Sequence, residues 1–347
     1  MRMSRPLSFC PLALLLILLL PLVARAWNSQ GHQVIAQIAY NHLDAAVKAK
    51  CDALIKVGGL CSFSTNDTFV SASTWADARC EAGTSTEHYI DIPITLDGSS
   101  TAGVANDPTN ILEALNRHIL TLQNPASDTT NQARALRYIV HFVGDIEQPL
   151  HCSTGVSSNR LTGDLGGNSF SLGGGNLHSF WDSGGGLLTN GSPVAPVAAA
   201  VEAAYPYVTS FPSIPNATNW ANESWLIASN VTYVGVTNGF AASATYSNTV
   251  QQTTMQRLAA GGQRLAKLLS SIFVTNGPTL QAPALVGGAF KLTWDAVPGR
   301  SYRVQTKSTP GDASWFDTTE IMATTNSASF TEPLNQTQRF YRIAVVN

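Results

Sequence analysis

The chain has 347 residues, 44% of them hydrophobic and only 12% charged, with a formal net charge of −2. That length and apolar content suit two domains, each with a buried core. That charge offers no basic footprint for gripping duplex nucleic acid electrostatically, so counter-charge for a phosphodiester substrate would have to come from bound metal.

Residues 1–26 read as an export signal, with Arg2 and Arg5 before the apolar run Leu12 to Leu20 and Ala24-Arg25-Ala26 at the cleavage position. The run is short for a membrane span. The mature chain is then expected to begin at Trp27 and to be secreted or periplasmic, with no membrane span. Cys51, Cys61, Cys80 and Cys152 remain after Cys10 is removed, an even set in an oxidising compartment. Three pairings are open; Cys51–Cys61 with Cys80–Cys152 is the one expected here. A thiolate ligand at Cys152 is the competing reading.

Val34, Ile35, Ile38 and Ala39 predict a helix directly after His32. A free α-amino group at Trp27, low in pKa and paired with its own carbonyl, can chelate metal together with His32. On these residues alone a frayed terminus with a solvated histidine is the simpler reading. A helix over 43–60 ends at Gly58-Gly59. Asp77 and His88 follow on either side of a loop, and Tyr89, Ile90 and Ile92 suggest a short extended segment that sends His88 and Ile90 to one face and Tyr89 and Asp91 to the other.

A helix is predicted over 109–123 and another over 131–148; His118 and His42 are read as structural. His141 and Asp145, four apart, share a face of the second helix. Pro149 then turns the chain, so His151 can face a different ion. The loop Gly163 to Asn168 permits close backbone approach. His178 and Asp182 repeat the i, i+4 pair. Five of the seven histidines thus fall into ligand sets. Asp77, His88, His141 and Asp145 form one; His151, His178 and Asp182 another; Trp27, His32 and a shared Asp145 the third. Imidazole with carboxylate suits zinc, three ions in all.

After residue 190 the composition turns to Pro, Ala and Ser with glycosylation sequons, and a final amphipathic helix is expected over 249–273. Beyond residue 276 the period becomes that of strands, through Phe290, Leu292, Trp294, Tyr302, Val304 and Ile343. The expected organisation is a mainly α domain at 27–275 and a small all-β sandwich, similar to a fibronectin type III module, at 276–347, read as an accessory or adhesive module.

Trp27, His32, Trp75-Ala-Asp77, His88-Tyr-Ile-Asp91, the run His141 to His151, Gly166-Gly-Asn168 and Asn176-Leu-His178 to Asp182 together resemble the zinc-dependent single-strand-specific nucleases of the mung-bean-nuclease type over residues 27–273. The resemblance implies a helical fold shared with zinc-dependent phospholipases C, three zinc ions, and hydrolysis of single-stranded DNA and RNA to 5′-nucleotides, with 3′-nucleotidase activity. It also turns the reading of the N-terminus towards a metal ligand. A zinc-activated water would attack phosphorus in line, with Asp145 at the centre of the machinery. By resemblance Tyr89 offers a stacking face to an unpaired base, Asp91 and Asn168 its hydrogen-bond partners, and Arg79 a cation for the phosphate. Arg79 stands two residues after Asp77 where the family arginine stands three after. A monomer is expected. The alternative is a zinc-dependent phospholipase C; the short spacing from Trp27 to His32 and the aspartate at 182 favour the nuclease. A zinc-scavenging or adhesion protein on a dead nuclease is disfavoured by the complete ligand set.

Overall fold

The computed structural model describes residues 27–78, 81, 83–124, 126–208, 216–239, 241–273, 278–296, 300–334 and 338–346. Residues 1–26, read from sequence as an export signal, Arg79, Cys80 and Asn335 of the last sequon lie outside the described residues. Helices α1 (Ser29–His42), α2 (Ala45–Ile55), α3 (Ile111–Gln123) and α4 (Thr129–Asp145) each start on an Asn or Asp, respectively Asn28, Asp44, Asn110 and Asp128, whose side chain accepts from backbone N–H groups of the first turn. A two-stranded parallel pair, β1 (Pro93–Thr95) and β2 (Thr154–Val156), and a short hairpin, β3 (Ser171–Leu172) and β4 (Gly175–Asn176), flank the next helix, α5 (Leu177–Asp182). Then come α6 (Val194–Ala204), α7 (Ala217–Ile227) and the 30-residue α8 (Ala244–Phe273).

Helix α4 is the centre of the domain, buried continuously from Ala135 to Asp145. It ends at Asp145, three residues short of the sequence expectation, because Gln148-Pro149 opens a separate 3₁₀ turn over Pro149–Cys152. Helix α8 packs on α1 at very close range. A Cβ at Gly262 would lie 2.4 Å from Ile38 Cγ2, and one at Gly261 3.1 Å from both Ile35 Cδ1 and Glu147 Cγ. The main apolar core joins α1, α2, α3, α4 and α8 through Ile35, Leu115, Leu136 and Leu265. A second cluster, with Leu150, Leu177, Trp181 and Val250, backs α5.

The C-terminal residues form two antiparallel three-stranded sheets. One has the order β5 (Ala284–Val286), β6 (Ala289–Asp295), β9 (Ser327–Pro333); the other has β10 (Phe340–Val345), β7 (Ser301–Lys307), β8 (Phe316–Met322). Leu292 faces Phe330 in the first register and Val304 faces Ile343 in the second. Both sheets contribute to a core of Leu292, Trp294, Tyr302 and Val304.

The segment after residue 190, for which composition alone predicts no element, contains α6, an Ala-rich helix with only Ala198 and Val201 buried, and α7. One expectation is corrected. The disulfide pairing fails on both counts, since Cys51 and Cys152 are free and buried. Cys51 lies on the packed face of α2, and Cys152 ends the buried 149–152 turn with its Sγ 3.6 Å from the Ile146 carbonyl. Cys61 is the disulfide-bonded member, its partner outside the described residues. Burial pushes the thiols of Cys51, to about 12, and Cys152 upward, and Cys152 belongs to none of the three His/Asp groups that could hold a metal ion.

Candidate metal centre

The C-terminal turn of α4 presents His141 and Asp145 to a fully buried space that α1 closes with His32. The imidazoles of His32 and His141 stack with centroids 4.0 Å apart. Asp145 lies between three rings: Oδ2 is 2.9 Å from His88 Nδ1 and 3.2 Å from His141 Nε2, and Oδ1 is 3.4 Å from His32 Nε2. Asp77, in the turn Ala76–Ala78, approaches His141 Nε2 at 3.6 Å. The ligand atoms therefore fall into two groups, His32–Asp77–His141 and His88–His141–Asp145, each within 4.8 Å.

A further group joins His151, His178 and Asp182 within the same limit. The Nε2 atoms of His151 and His178 are 3.2 Å apart, and Asp182 Oδ2 is 3.6 Å from His178 Nε2. Asp145 Oδ1 lies 4.0 Å from the His151 ring, which puts this triad beside the first two.

Three of the rings are fixed in the same way. Nδ1 of His141, His151 and His178 is 2.7, 2.7 and 2.6 Å from the carbonyl oxygens of Ser73, His88 and Gly166. A carbonyl only accepts, so each Nδ1 carries the proton and each Nε2 turns its lone pair to the centre. The His88 carbonyl accepting from His151 also links the two sides of the site. Gln148 does parallel work on Asp182. Its Nε2 donates to Asp182 Oδ1 at 2.7 Å, while its Oε1 accepts from Leu150 N and caps the 149–152 turn.

The residues fit metal ions on two grounds. Both ring nitrogens of His32, Nε2 of His88 and Oδ1 of Asp145 are buried without a hydrogen-bond partner, an arrangement a divalent cation satisfies. The charges point the same way. Burial pushes the Asp182 carboxyl well above its ordinary range against the opposing Gln148 bond. Burial also works against charge on Asp145 and His141. The His141, His32 and His88 rings nonetheless hold Asp145 well below the usual carboxylate range, and Asp145 with Asp77 lift His141 to about 9. Burial and the adjacent His141 lower His32. Bound cations would relieve this competition for protons.

Trp27 is buried at the entrance to α1, and the Asn28 amide donates to the Asp182 carbonyl at 3.0 Å, so the segment lies packed on the site rather than frayed. His88 ends the turn Ser85–His88; Tyr89 is extended and half-buried, Ile90 buried and Asp91 half-buried, the alternation expected from sequence. Burial, then the Asp164 charge, pushes Asp91 up to about 6. Asn168 is half-buried, its Nδ2 donating to Leu165 O at 2.8 Å. His42 bonds Glu202 at the surface, and His118 stacks on Tyr138, both away from the ligand groups.

Sequence reasoning missed Gln148, Gly144, Asp164 and Tyr233, and gave Glu147 no role. Glu147 is fully buried and pairs with Arg257 at 2.5 Å and Arg264 at 2.6 Å, both on α8. Arg257 Nε also caps the Glu147 carbonyl, and Ser224 Oγ caps that of Ile146. The only sequence signal was an acid between two ligand positions.

Fold and site together define a mainly helical protein with three His/Asp groups that could hold metal ions. The chain belongs to the S1/P1 nuclease family, whose sequence model matches residues 27–274. It is accordingly a hydrolase, a nuclease that acts on phosphodiesters. It is 24% identical over 277 residues to Nuclease PA3 of Penicillium sp and, over the same length, to Nuclease P1 of Penicillium citrinum, covering 71% of this chain and 97% of each relative. Endonuclease 1 of Arabidopsis thaliana is 26% identical over 289 residues, covering 72% of this chain and 88% of that protein. Among solved structures, the alpha toxin of Clostridium absonum is similar over 90% of this chain and 86% of its own, at 12% identity and a TM-score of 0.38. Residues 275–347 lie outside the family match.

Proposed function

We propose that the chain is an exported, zinc-dependent, single-strand-specific endonuclease that cleaves DNA and RNA to 5′-phosphate products and also acts as a 3′-nucleotidase. The observation that carries this reading is the convergence of three His/Asp groups around Asp145, whose two oxygens face different histidines. Asp77, His88, His141 and Asp145 would hold one ion, His151, His178 and Asp182 a second, and Trp27 with His32 and Asp145 a third. Zinc, when bound there, supplies Lewis acidity and lowers the pKa of water. The Nδ1–H bonds to backbone carbonyls keep the rings of His141, His151 and His178 aimed, and Asp145 shares its charge between neighbouring positions.

In this reading Tyr89 stacks an unpaired base, Asp91 and Asn168 bond to it, and Arg79 meets the phosphate. Export would free the Trp27 amino group to act as a ligand. Among the described residues no helix is long and apolar enough to cross a membrane. The C-terminal sheets would form an accessory module of fibronectin type III kind, and the protein would act as a monomer.

The test is incubation of the purified mature protein with single-stranded DNA, duplex DNA, a 3′-nucleotide and phosphatidylcholine, each with and without chelator. Cleavage of the single strand and the 3′-nucleotide, abolished by chelator and restored by zinc, is expected. Chelator-insensitive cleavage would overturn the metal mechanism, and turnover of phosphatidylcholine alone would overturn the substrate.

A further inference from the structure

The Gly163–Asn168 loop, singled out in the sequence for its glycines, is wound around a buried acid. Asp164 Oδ1 accepts from the amides of Gly155 and Gly167, both at 2.8 Å, and lies 3.4 Å from Thr154 Oγ1. The Tyr233 hydroxyl, just after the π-helical turn Ala228–Thr232, is 3.0 Å from each carboxylate oxygen. These donors are neutral. Burial and the Asp164 charge raise the Tyr233 phenol well above its ordinary value, so it stays a donor.

What the clamp holds is a conformation the loop would not choose. Gly163, Leu165, Gly166 and Gly167 all have positive φ, and Leu165 does so at +58° while the residue is 65% exposed. A leucine keeps that geometry only where its surroundings impose it. The imposed shape aims two carbonyls at α5: Gly166 O accepts from His178 Nδ1 at 2.6 Å and Gly167 O from His178 N at 3.4 Å. Gly166 itself is irreplaceable, since a Cβ there would lie 2.5 Å from Leu150 O.

We infer that Asp164 and Tyr233 are positioning residues for metal binding at the His151–His178–Asp182 triad, acting through the Gly166 carbonyl that orients the His178 ring. The inference rests on the proposed zinc reading of that triad. The clamp itself touches no ligand side chain. It fixes the carbonyl that fixes the ring, and so acts on one of the three metal positions.

The test challenges zinc-loaded protein with a chromogenic chelator and resolves the release of each zinc equivalent, beside a thermal melt. His178→Ala identifies the equivalent belonging to the triad. Tyr233→Phe, which removes only the hydroxyl, and Asp164→Ala should each release that equivalent with affinity lowered by up to about 10-fold, the lower end of the effect of losing a direct partner of a ligand, because both act one hydrogen bond further back. Asp164→Asn, which keeps one acceptor oxygen for the Gly155 and Gly167 amides, should recover part of the loss. The other two equivalents should be unchanged. Release indistinguishable from the parent in Tyr233→Phe and Asp164→Ala overturns the clamp. So does equal weakening of all three equivalents with a lowered melt, which marks a merely structural role. If His178→Ala removes no equivalent at all, the metal reading of the triad fails and the clamp with it.

Discussion

Gly144 contributes by having no side chain. A Cβ there would lie 2.5 Å from His32 Nδ1, so the ring can stack on His141 and reach Asp145 only across a glycine. Gly144→Ala is expected to push His32 out of line, weakening the metal position it shares with Asp145 and costing about 1–3 kcal/mol as overpacking. Zinc content per chain and a urea titration check both. Asp91 gives a second expectation. Its carboxyl, ordinarily at 3.8, is raised to about 6 by burial and then by Asp164. A raised carboxyl favours folding while protonated, so its contribution is full below 3.8 and is lost as pH rises through about 6. The Asp91 carboxyl resonance should titrate near 6, and Asp164→Asn should lower that midpoint without abolishing the shift, because burial is the larger cause. A midpoint unchanged by Asp164→Asn would remove Asp164 as a cause. The His and Asp side chains that the structure gathers into three groups were legible in sequence because each carries its chemistry itself. Gly144, Gln148 and Tyr233 were not, since each acts through a partner elsewhere in the chain: Gly144 and Tyr233 are 112 and 69 residues from the group they serve, and Gln148 matters only because α5 brings Asp182 to it.

At the scale of elements, the turn that follows α4 meets α8 across a buried ion cluster. Glu147 pairs with Arg257 and Arg264, and all three are out of solvent, whereas Glu223, which also reaches both arginines, is nearly half exposed. Removing a buried partner strands the opposite charges, so Glu147→Ala should cost about 3–5 kcal/mol. Glu223→Ala, screened by water, should cost at most about 1 kcal/mol. Equal losses in urea unfolding would show that burial does not separate the two. The period-3.6 pattern located α1, α3, α4 and α8, the last beginning at Ala244 rather than near 249. It failed for α6, where Ala198 and Val201 are the buried residues of an otherwise exposed Ala-rich helix. A pattern written by burial cannot mark a helix that buries so little.

At the scale of the whole molecule, the switch from helical to strand period near residue 276 coincides with the end of both α8 and the family match. The two parts also have separate apolar cores: the helical core runs from Trp27 to Phe273, and the strand core from Leu292 to Ala328, with no residue in common. Every ligand position lies in the first. The Arg300 guanidinium donates to the Ser271 carbonyl at the end of α8, a polar tie that leaves the His/Asp groups untouched. A chain ending at residue 275 should therefore fold, retain the zinc content of the full protein and keep kcat/KM on a short single strand within about twofold, as expected when a unit has its own core. Elemental analysis, a thermal melt and steady-state kinetics on the two chains decide it. Loss of turnover in a truncated chain that still melts cooperatively and keeps its zinc would assign the C-terminal sheets a part in substrate binding, and would overturn the accessory reading.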